Sequence, residues 1–388
     1  MKRPTLTPIA VTIATAGLFL VVQYQQENLH DLHLLHILLQ LCLLAGSIYL
    51  LGVGADYLVN ASSRLARRLG ISELIIGLTV VAFGTSAPEL AASLVAGFEG
   101  GGDIAIGNVV GSNIFNVCFI LGLVALLTRG GLTIDRSLIR RDGPMVLLGT
   151  ILVFLAVGSF TNVDKPAATA VAPLNLHLEW AEGLILLLGL VAYLFWLYLV
   201  RKGGPTPQHK EDPPAPAGSI VRDLLLVTIG LVMVLAGSQL LVGAAETHGI
   251  GPDIKVDGFG SVWFAKLWGI PDYVVGLTII AAGTSAPEMV VSLVAALKGS
   301  ADISTGNLLG SVVFNLFGVV GAAGLLVQPP LGEIIAVSPD VVPNLIGLSG
   351  LLVIIIVFMM TGRRIARWEG AVLFGLGIIF WIVDFILR

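Results

Sequence analysis

Two short segments of the chain combine a carboxylate, two hydroxyl groups and a proline within six residues. Both read Gly-Thr-Ser-Ala-Pro-Glu, at 84–89 and again at 283–288. Pro88 cannot donate a backbone hydrogen bond, so with Gly84 it is expected to break a helix and free the backbone carbonyls around Ala82 to Thr85. Glu89 then places a carboxylate beside hydroxyl and carbonyl oxygens. Mixed oxygens of this kind suit a hard divalent cation such as calcium, which takes about six to eight of them.

The chemistry depends on the presence of both segments. An isolated Ser or Thr in an apolar helix usually bonds back to a carbonyl of its own helix, and isolated glycines more often serve packing. Two copies of the same Glu, Pro, Thr and Ser pattern supply two carboxylates, which together neutralise one divalent ion. Neither segment contains a His or Cys, and this disfavours zinc or copper.

The two segments belong to an internal repeat. Residues 71–124 align without a gap on 270–323 at a constant offset of 199, and 25 of the 54 pairs are identical. A second shared block begins at Asp103 and at Asp302, each interpreted as a structural residue at a helix start. Repeats of this kind indicate two copies of one folding unit.

The second block adds polar side chains at helical spacing. Ser112 and Asn116 are four residues apart and lie on one face of a helix, and Ser311 and Asn315 repeat the pattern. We expect this polar stripe to face the broken helix and complete a shell of oxygens. Asn113 has no polar counterpart in the second copy and is ranked below Asn116.

Composition indicates that most of the surface faces lipid. Only 12% of the 388 residues are charged and 56% are hydrophobic, whereas soluble domains carry roughly 25% charged residues. The net charge is −4, and the sequence contains no basic patch large enough to bind nucleic acid. Both cysteines lie in apolar runs, so a disulfide framework is not indicated.

A membrane-spanning helix needs about 20 mostly apolar residues. The eleven predicted spans are 6–23, 34–59, 72–98, 103–127, 142–160, 180–200, 220–246, 271–297, 302–327, 341–361 and 369–387. The first is interpreted as an extra amino-terminal helix, with a cleaved signal peptide as the alternative. Lys and Arg divide 17 to 4 between the two sets of connections, which predicts a cytoplasmic amino terminus and an external carboxyl terminus.

An odd number of spans separates the two copies, so the second copy is predicted to be inverted in the membrane. The predicted organisation is an extra segment 1–33, a first repeat 34–202, a cytoplasmic linker 203–219 and a second repeat 220–388. The region 247–269 is an insertion, predicted to be an external loop. Asp56 and its counterpart Gln239 are polar positions within spans that could line an access path.

The two Gly-Thr-Ser-Ala-Pro-Glu segments and the two Gly-Ser-x-x-x-Asn segments strongly resemble motifs of the cation/calcium antiporter superfamily, particularly of prokaryotic sodium/calcium exchangers. The resemblance covers residue 34 to the end. It implies an all-α polytopic membrane protein with ten core transmembrane helices in two inverted five-helix repeats. The calcium-binding positions it implies are Glu89, Glu288, Thr85, Thr284, Asn116 and Asn315. The sodium-binding positions it implies are Ala82, Thr85, Ser86, Ser112, Ala281, Thr284, Ser285 and Ser311.

The resemblance also implies a function, which is alternating-access exchange of sodium for calcium across the cell membrane. Calcium and sodium would be cargo, with no resident cofactor, no enzymatic activity and one chain sufficient for transport. Thr85-Ser86 replaces the Asn-Ala of proton-coupled relatives and favours sodium, with proton/divalent exchange at the same site as the alternative. Asn315 replaces an Asp of some relatives, which disfavours potassium dependence. A calcium channel could use the same glutamates, whereas an intramembrane hydrolase would lack a base near Ser86.

Overall fold

A computed structural model describes residues 14, 15, 17, 33–98, 102–157, 176–178, 180–203, 219–242, 281–326, 335–337 and 341–387. The described residues are largely helical, with four short strands. Most of the predicted extra span 6–23, nearly all of the linker 203–219 and the whole insertion 247–269 lie outside them.

The elements run in one order through both copies. The first part comprises α1 His33–Leu69, α2 Glu73–Ile76, π1 Gly77–Val81, α3 Ala82–Thr85, α4 Ala87–Phe98, α5 Gly102–Ile114, π2 Phe115–Ile120, α6 Leu121–Leu127, β1 Leu132–Thr133, π3 Leu138–Asp142, α7 Gly143–Val157, β2 Leu176–Leu178 and α8 Trp180–Gly203. The second part comprises α9 Ile220–Val242, α10 Ala281–Thr284, α11 Ala286–Leu297, α12 Ala301–Val313, π4 Phe314–Val319, α13 Val320–Leu326, β3 Ile335–Val337, α14 Val341–Met360, β4 Arg364–Ile365 and α15 Arg367–Leu387. The elements α3 to α6 recur 199 residues later as α10 to α13, so this part of the repeat folds the same way twice, and π2 recurs as π4.

The helices have the length and composition of a membrane protein. Among the described residues, 6 helices are long and apolar enough to cross a membrane, and a bent pair, Glu73–Thr85 with Ala87–Phe98, raises this to 7. The outer helices α8 and α9 expose large apolar side chains such as Phe195 and Val221. Such a surface is stable only against lipid or another apolar surface.

The first long helix extends beyond its predicted end. The span was predicted to end at residue 59, but α1 continues to Leu69, so Arg64 and Arg68 lie on the helix and not in a connection. Both side chains bond Asp223 in the first turn of α9, at 2.7 and 2.6 Å. A partner 155 residues away in sequence therefore stabilises these last turns, which hydropathy alone does not reveal.

Glycines bring α1 and α9 into close contact. A Cβ at Gly54 would lie 2.9 Å from the Gly230 carbonyl oxygen, and one at Gly237 would lie 3.0 Å from the Ser47 carbonyl oxygen. Small residues at such positions let two membrane helices approach through their backbones. The helices α1 and α9 therefore pack as one pair.

The two helices that carry the second shared block lie at the centre of the molecule. In the most apolar 18-residue window of each span, 78% of the residues are buried for Ala105–Leu127 and 89% for Ala301–Leu326, whereas the other spans have 28–39%. The strand pairs β1–β4 and β2–β3 are antiparallel, and each joins a connection of the first part to one of the second. The centre therefore contains the predicted polar stripes of both copies.

Candidate functional site

Both Gly-Thr-Ser-Ala-Pro-Glu segments break their helix at the serine. Helix α3 ends at Thr85 and α4 begins at Ala87, and the helical segments Glu73–Thr85 and Ala87–Phe98 are bent by 44° relative to each other. Ser86 at the break has φ −85° and ψ 10°, and Ser285 in the second copy has φ −90° and ψ 7°. Proline at the second position of the new helix needs no hydrogen-bond acceptor, so the break costs little there. The predicted helix break is confirmed in both copies.

The breaks bring the two glutamates together across the copies. Ser86 Oγ donates to Glu288 Oε1 at 2.9 Å, and Ser285 Oγ donates to Glu89 Oε1 at 3.2 Å. All four side chains are fully buried, and the two carboxylates repel each other electrostatically. Each carboxylate is therefore held at the helix break of the other copy.

Each carboxylate keeps one oxygen without a hydrogen bond. Glu89 Oε2 and Glu288 Oε2 are buried and have no partner among the described residues. A buried carboxylate oxygen without a donor is costly unless a cation or a proton compensates its charge. Two such oxygens from opposite copies are suitable ligands for a divalent cation.

The central helices add amide and hydroxyl oxygens to the site. Asn116 lies in π2 and Asn315 in π4, and Oδ1 of each is buried without a partner in the described part of the chain. Ser311 Oγ donates to Glu288 Oε1 at 3.5 Å, and Ser112 is buried one helical turn before Asn116. π segments recur at functional sites because they redirect side chains.

The Ala82 carbonyl was predicted to be free, but the structure shows it hydrogen-bonded. It accepts the Ser86 N–H at 3.1 Å and Thr85 Oγ1 at 3.3 Å, because the chain still closes one helical turn before the break. Thr85 Oγ1 also lies 3.1 Å from Asn307 Oδ1. In the second copy, Ala281 begins α10 and Thr284 is half-buried in it.

Two asparagines that the sequence analysis did not single out hold the glutamates in place. Asn108 Nδ2 donates to the Glu89 carbonyl oxygen at 3.2 Å and to Ser93 Oγ at 3.0 Å. Asn307 Nδ2 makes the equivalent bonds to Glu288 at 3.4 Å and to Ser292 Oγ at 2.9 Å. Asn108 and Asn307 occupy equivalent positions of the two copies, and this identity is the sequence feature that could have identified them.

Asp56 lies apart from these glutamates. It accepts Asn60 Nδ2 at 3.0 Å and pairs with Lys298 at the end of α11, and its side chain is 46% exposed. Gln239 is exposed on α9. Within the described ranges, no group of three or more His, Cys, Asp or Glu could hold a metal ion. The buried acidic groups of the site are therefore the two glutamates.

Comparisons with known proteins agree over most of the chain. A family model described as sodium/calcium exchanger protein matches residues 39–199 and 223–385. The chain is 34% identical to a putative antiporter CaxA of Alkalimonas amylolytica, over 82% of this chain and 90% of that one. It is 32% identical to the sodium/calcium exchanger MaX1 of Methanosarcina acetivorans, over 89% of this chain and 98% of that one. A solved structure of the sodium-calcium exchanger NCX_Mj superposes with a TM-score of 0.67 at 28% identity, covering 88% of this chain and 97% of that chain.

Proposed function

The chain belongs to the sodium/calcium exchanger family, and from that premise we propose that it exchanges sodium for calcium across the cell membrane at the site between its two helix breaks. The observation that carries the proposal is the pair of buried oxygens on Glu89 and Glu288 that have no hydrogen-bond partner among the described residues. They come from opposite copies and carry the two negative charges that one calcium ion balances. Competition between ions for these oxygens makes the exchange obligatory.

We propose the ligand roles that the resemblance to the family implies. Calcium is bound by the carboxylates of Glu89 and Glu288, assisted by the oxygens of Thr85, Thr284, Asn116 and Asn315. Sodium is bound at flanking oxygens of Ala82, Thr85, Ser86, Ser112, Ala281, Thr284, Ser285 and Ser311. Because the Ala82 carbonyl already accepts two hydrogen bonds, it has to lose one of them before it coordinates sodium. That exchange of partners would accompany a change in the helix break.

We propose an arrangement of ten core helices in two inverted repeats, 34–202 and 220–388, joined by a cytoplasmic linker. The reciprocal serine–glutamate bonds support a pseudo-two-fold axis between the copies. Such an axis in the membrane plane is the plan of many secondary transporters, with the ions bound near the bilayer midplane. The packed pair α1 and α9 would slide across the site to open it to either side.

The same site also supports proton/divalent exchange as a second candidate. The two buried carboxylates repel each other, and protonation relieves that repulsion as a cation does. The two functions differ in the ion that replaces calcium, so the driving gradient distinguishes them.

The test is calcium uptake into proteoliposomes loaded with sodium, compared with potassium-loaded vesicles at matched pH and with an imposed proton gradient. We expect uptake only with internal sodium, and none for Glu89→Gln or Glu288→Gln. The control is Glu369→Gln, since Glu369 is also buried but caps α15 by accepting Thr361 Oγ1 and the Ala366 N–H. Uptake that persists in both site variants would refute the assignment, and uptake driven by protons alone would identify the second candidate.

A further inference from the structure

Asn113 is a point at which the two copies differ inside their shared block. Ser112, Phe115 and Asn116 recur unchanged 199 residues later, but Val312 occupies the position equivalent to Asn113. Both residues are fully buried. A buried amide in one copy and an isopropyl group in the other make the surroundings of the two site asparagines unequal.

Asn113 contacts the site asparagine of the opposite copy. Asn315 Nδ2 donates to Asn113 Oδ1 at 3.1 Å, whereas Asn315 Oδ1 is buried and unpaired within the described residues. An amide is planar, so fixing its nitrogen also fixes the direction of its oxygen. If the Asn315 amide were reversed, Asn113 would have to turn its own amide to stay bonded, and the N–H donors of Asn315 would take the place of its unpaired oxygen, where a cation would repel them.

The Asn116 amide has no equivalent hydrogen bond among the described residues. Its Nδ2 and Oδ1 are both buried and unpaired in the described part of the chain, and the equivalent neighbour, Val312, cannot accept a hydrogen bond. The Asn116 amide can therefore direct either end into the site. Asn113 itself retains a buried, unpaired Nδ2, a costly feature that valine at this position would avoid.

We propose that Asn113 is a positioning residue that fixes the amide of Asn315 with its oxygen toward the cation, so that Asn315 and Asn116 are not equivalent ligands. The inference rests on the proposed function and specifies the ligand set of that site. The Asn315 amide is fixed with its oxygen toward calcium. The Asn116 amide can turn, so that it can face calcium, sodium or a neighbouring hydroxyl group.

The test is a double-mutant cycle in the full chain, with calcium affinity measured by calorimetric titration in potassium buffer. We expect Asn315→Ala and Asn113→Val each to weaken calcium binding about tenfold, the loss typical of one charge-assisted contact. Because Asn113 acts through Asn315, the double variant should be no weaker than Asn315→Ala alone. The comparison variant, Asn116→Ala, removes a ligand whose amide has no hydrogen bond among the described residues, so it should weaken binding less than Asn315→Ala does, by under about threefold.

Thermal unfolding separates positioning from a purely structural role. Asn113→Val removes the unpaired Asn113 Nδ2 but leaves Asn315 Nδ2 unpaired, so the melting temperature should hardly change while calcium affinity falls. Wild-type affinity in Asn113→Val, losses that multiply in the double variant, or equal losses at positions 116 and 315 would overturn the proposal. Calcium binding that survives in both Glu89→Gln and Glu288→Gln would instead overturn the proposed site, and this inference with it.

Discussion

The close contact of α1 with α9 can be tested at one glycine. A Cβ at Gly54 would lie 2.8 Å from Met233 Cβ and 2.9 Å from both the Gly230 carbonyl oxygen and the Val234 nitrogen. Ordinary contact begins at 3.4 Å, so Gly54→Ala has to separate two backbones by about 0.5 Å, the difference between 2.9 and 3.4 Å. Overpacking of this kind costs about 1–3 kcal/mol, because the atoms that must move belong to a helix and not to a flexible side chain.

The assay is thermal unfolding of the purified chain in detergent, with calcium uptake measured in parallel. A cost of that size should lower the melting temperature by about 2–6 °C. The control is two residues away on the opposite side of the same helix, where Gly52 is exposed and a Cβ meets nothing within 4 Å. Equal melting temperatures for Gly54→Ala and Gly52→Ala would refute the view that α1 and α9 pack through their backbones at this point.

Two further predictions concern buried polar contacts between the two parts of the chain. Asn307→Ala removes the bonds to the Glu288 carbonyl and to Thr85, and should weaken calcium binding about tenfold in a calorimetric titration; wild-type affinity would argue against its supporting role. Asp223→Asn removes a buried carboxylate from two arginines of α1 and should lower stability by about 1–3 kcal/mol in thermal unfolding. Glu73→Gln is the control for the second prediction, because the pair of Glu73 with Arg67 is longer, at 3.6 Å, and more exposed. An equal loss in both variants would contradict the importance given to Asp223.

Much of the fold was predictable because its determinants are local in sequence. Hydropathy located the long spans, and the Gly and Pro of each motif located the breaks at Ser86 and Ser285. The end of α1 was not predictable, since hydropathy falls where the arginines begin. Those turns remain helical because Arg64 and Arg68 reach Asp223 on another helix. Local composition carries no information about that contact.

The sequence predicts the residue types of the candidate site, but not the hydrogen bonds between them. Repetition identified the motifs, whereas the pairing of each serine with the glutamate of the opposite copy requires the packed structure. Asn108 was missed because its function is to bond a main-chain carbonyl 19 residues away. The free Ala82 carbonyl was predicted wrongly because the helix closes one more hydrogen bond before it bends.

Neither copy of the repeat can build this site alone. At the site, four hydrogen bonds among the described residues cross between the copies: Ser86 to Glu288, Ser285 to Glu89, Thr85 to Asn307 and Asn315 to Asn113. Each carboxylate is therefore oriented by a serine of the other repeat, while the repulsion between the two carboxylates opposes their approach. A cation that binds both carboxylates removes this repulsion and joins the two copies at their breaks. Any motion that separates the breaks would change both carboxylates at once, so on the proposed function the binding of an ion would be coupled to the arrangement of the two halves through these four bonds.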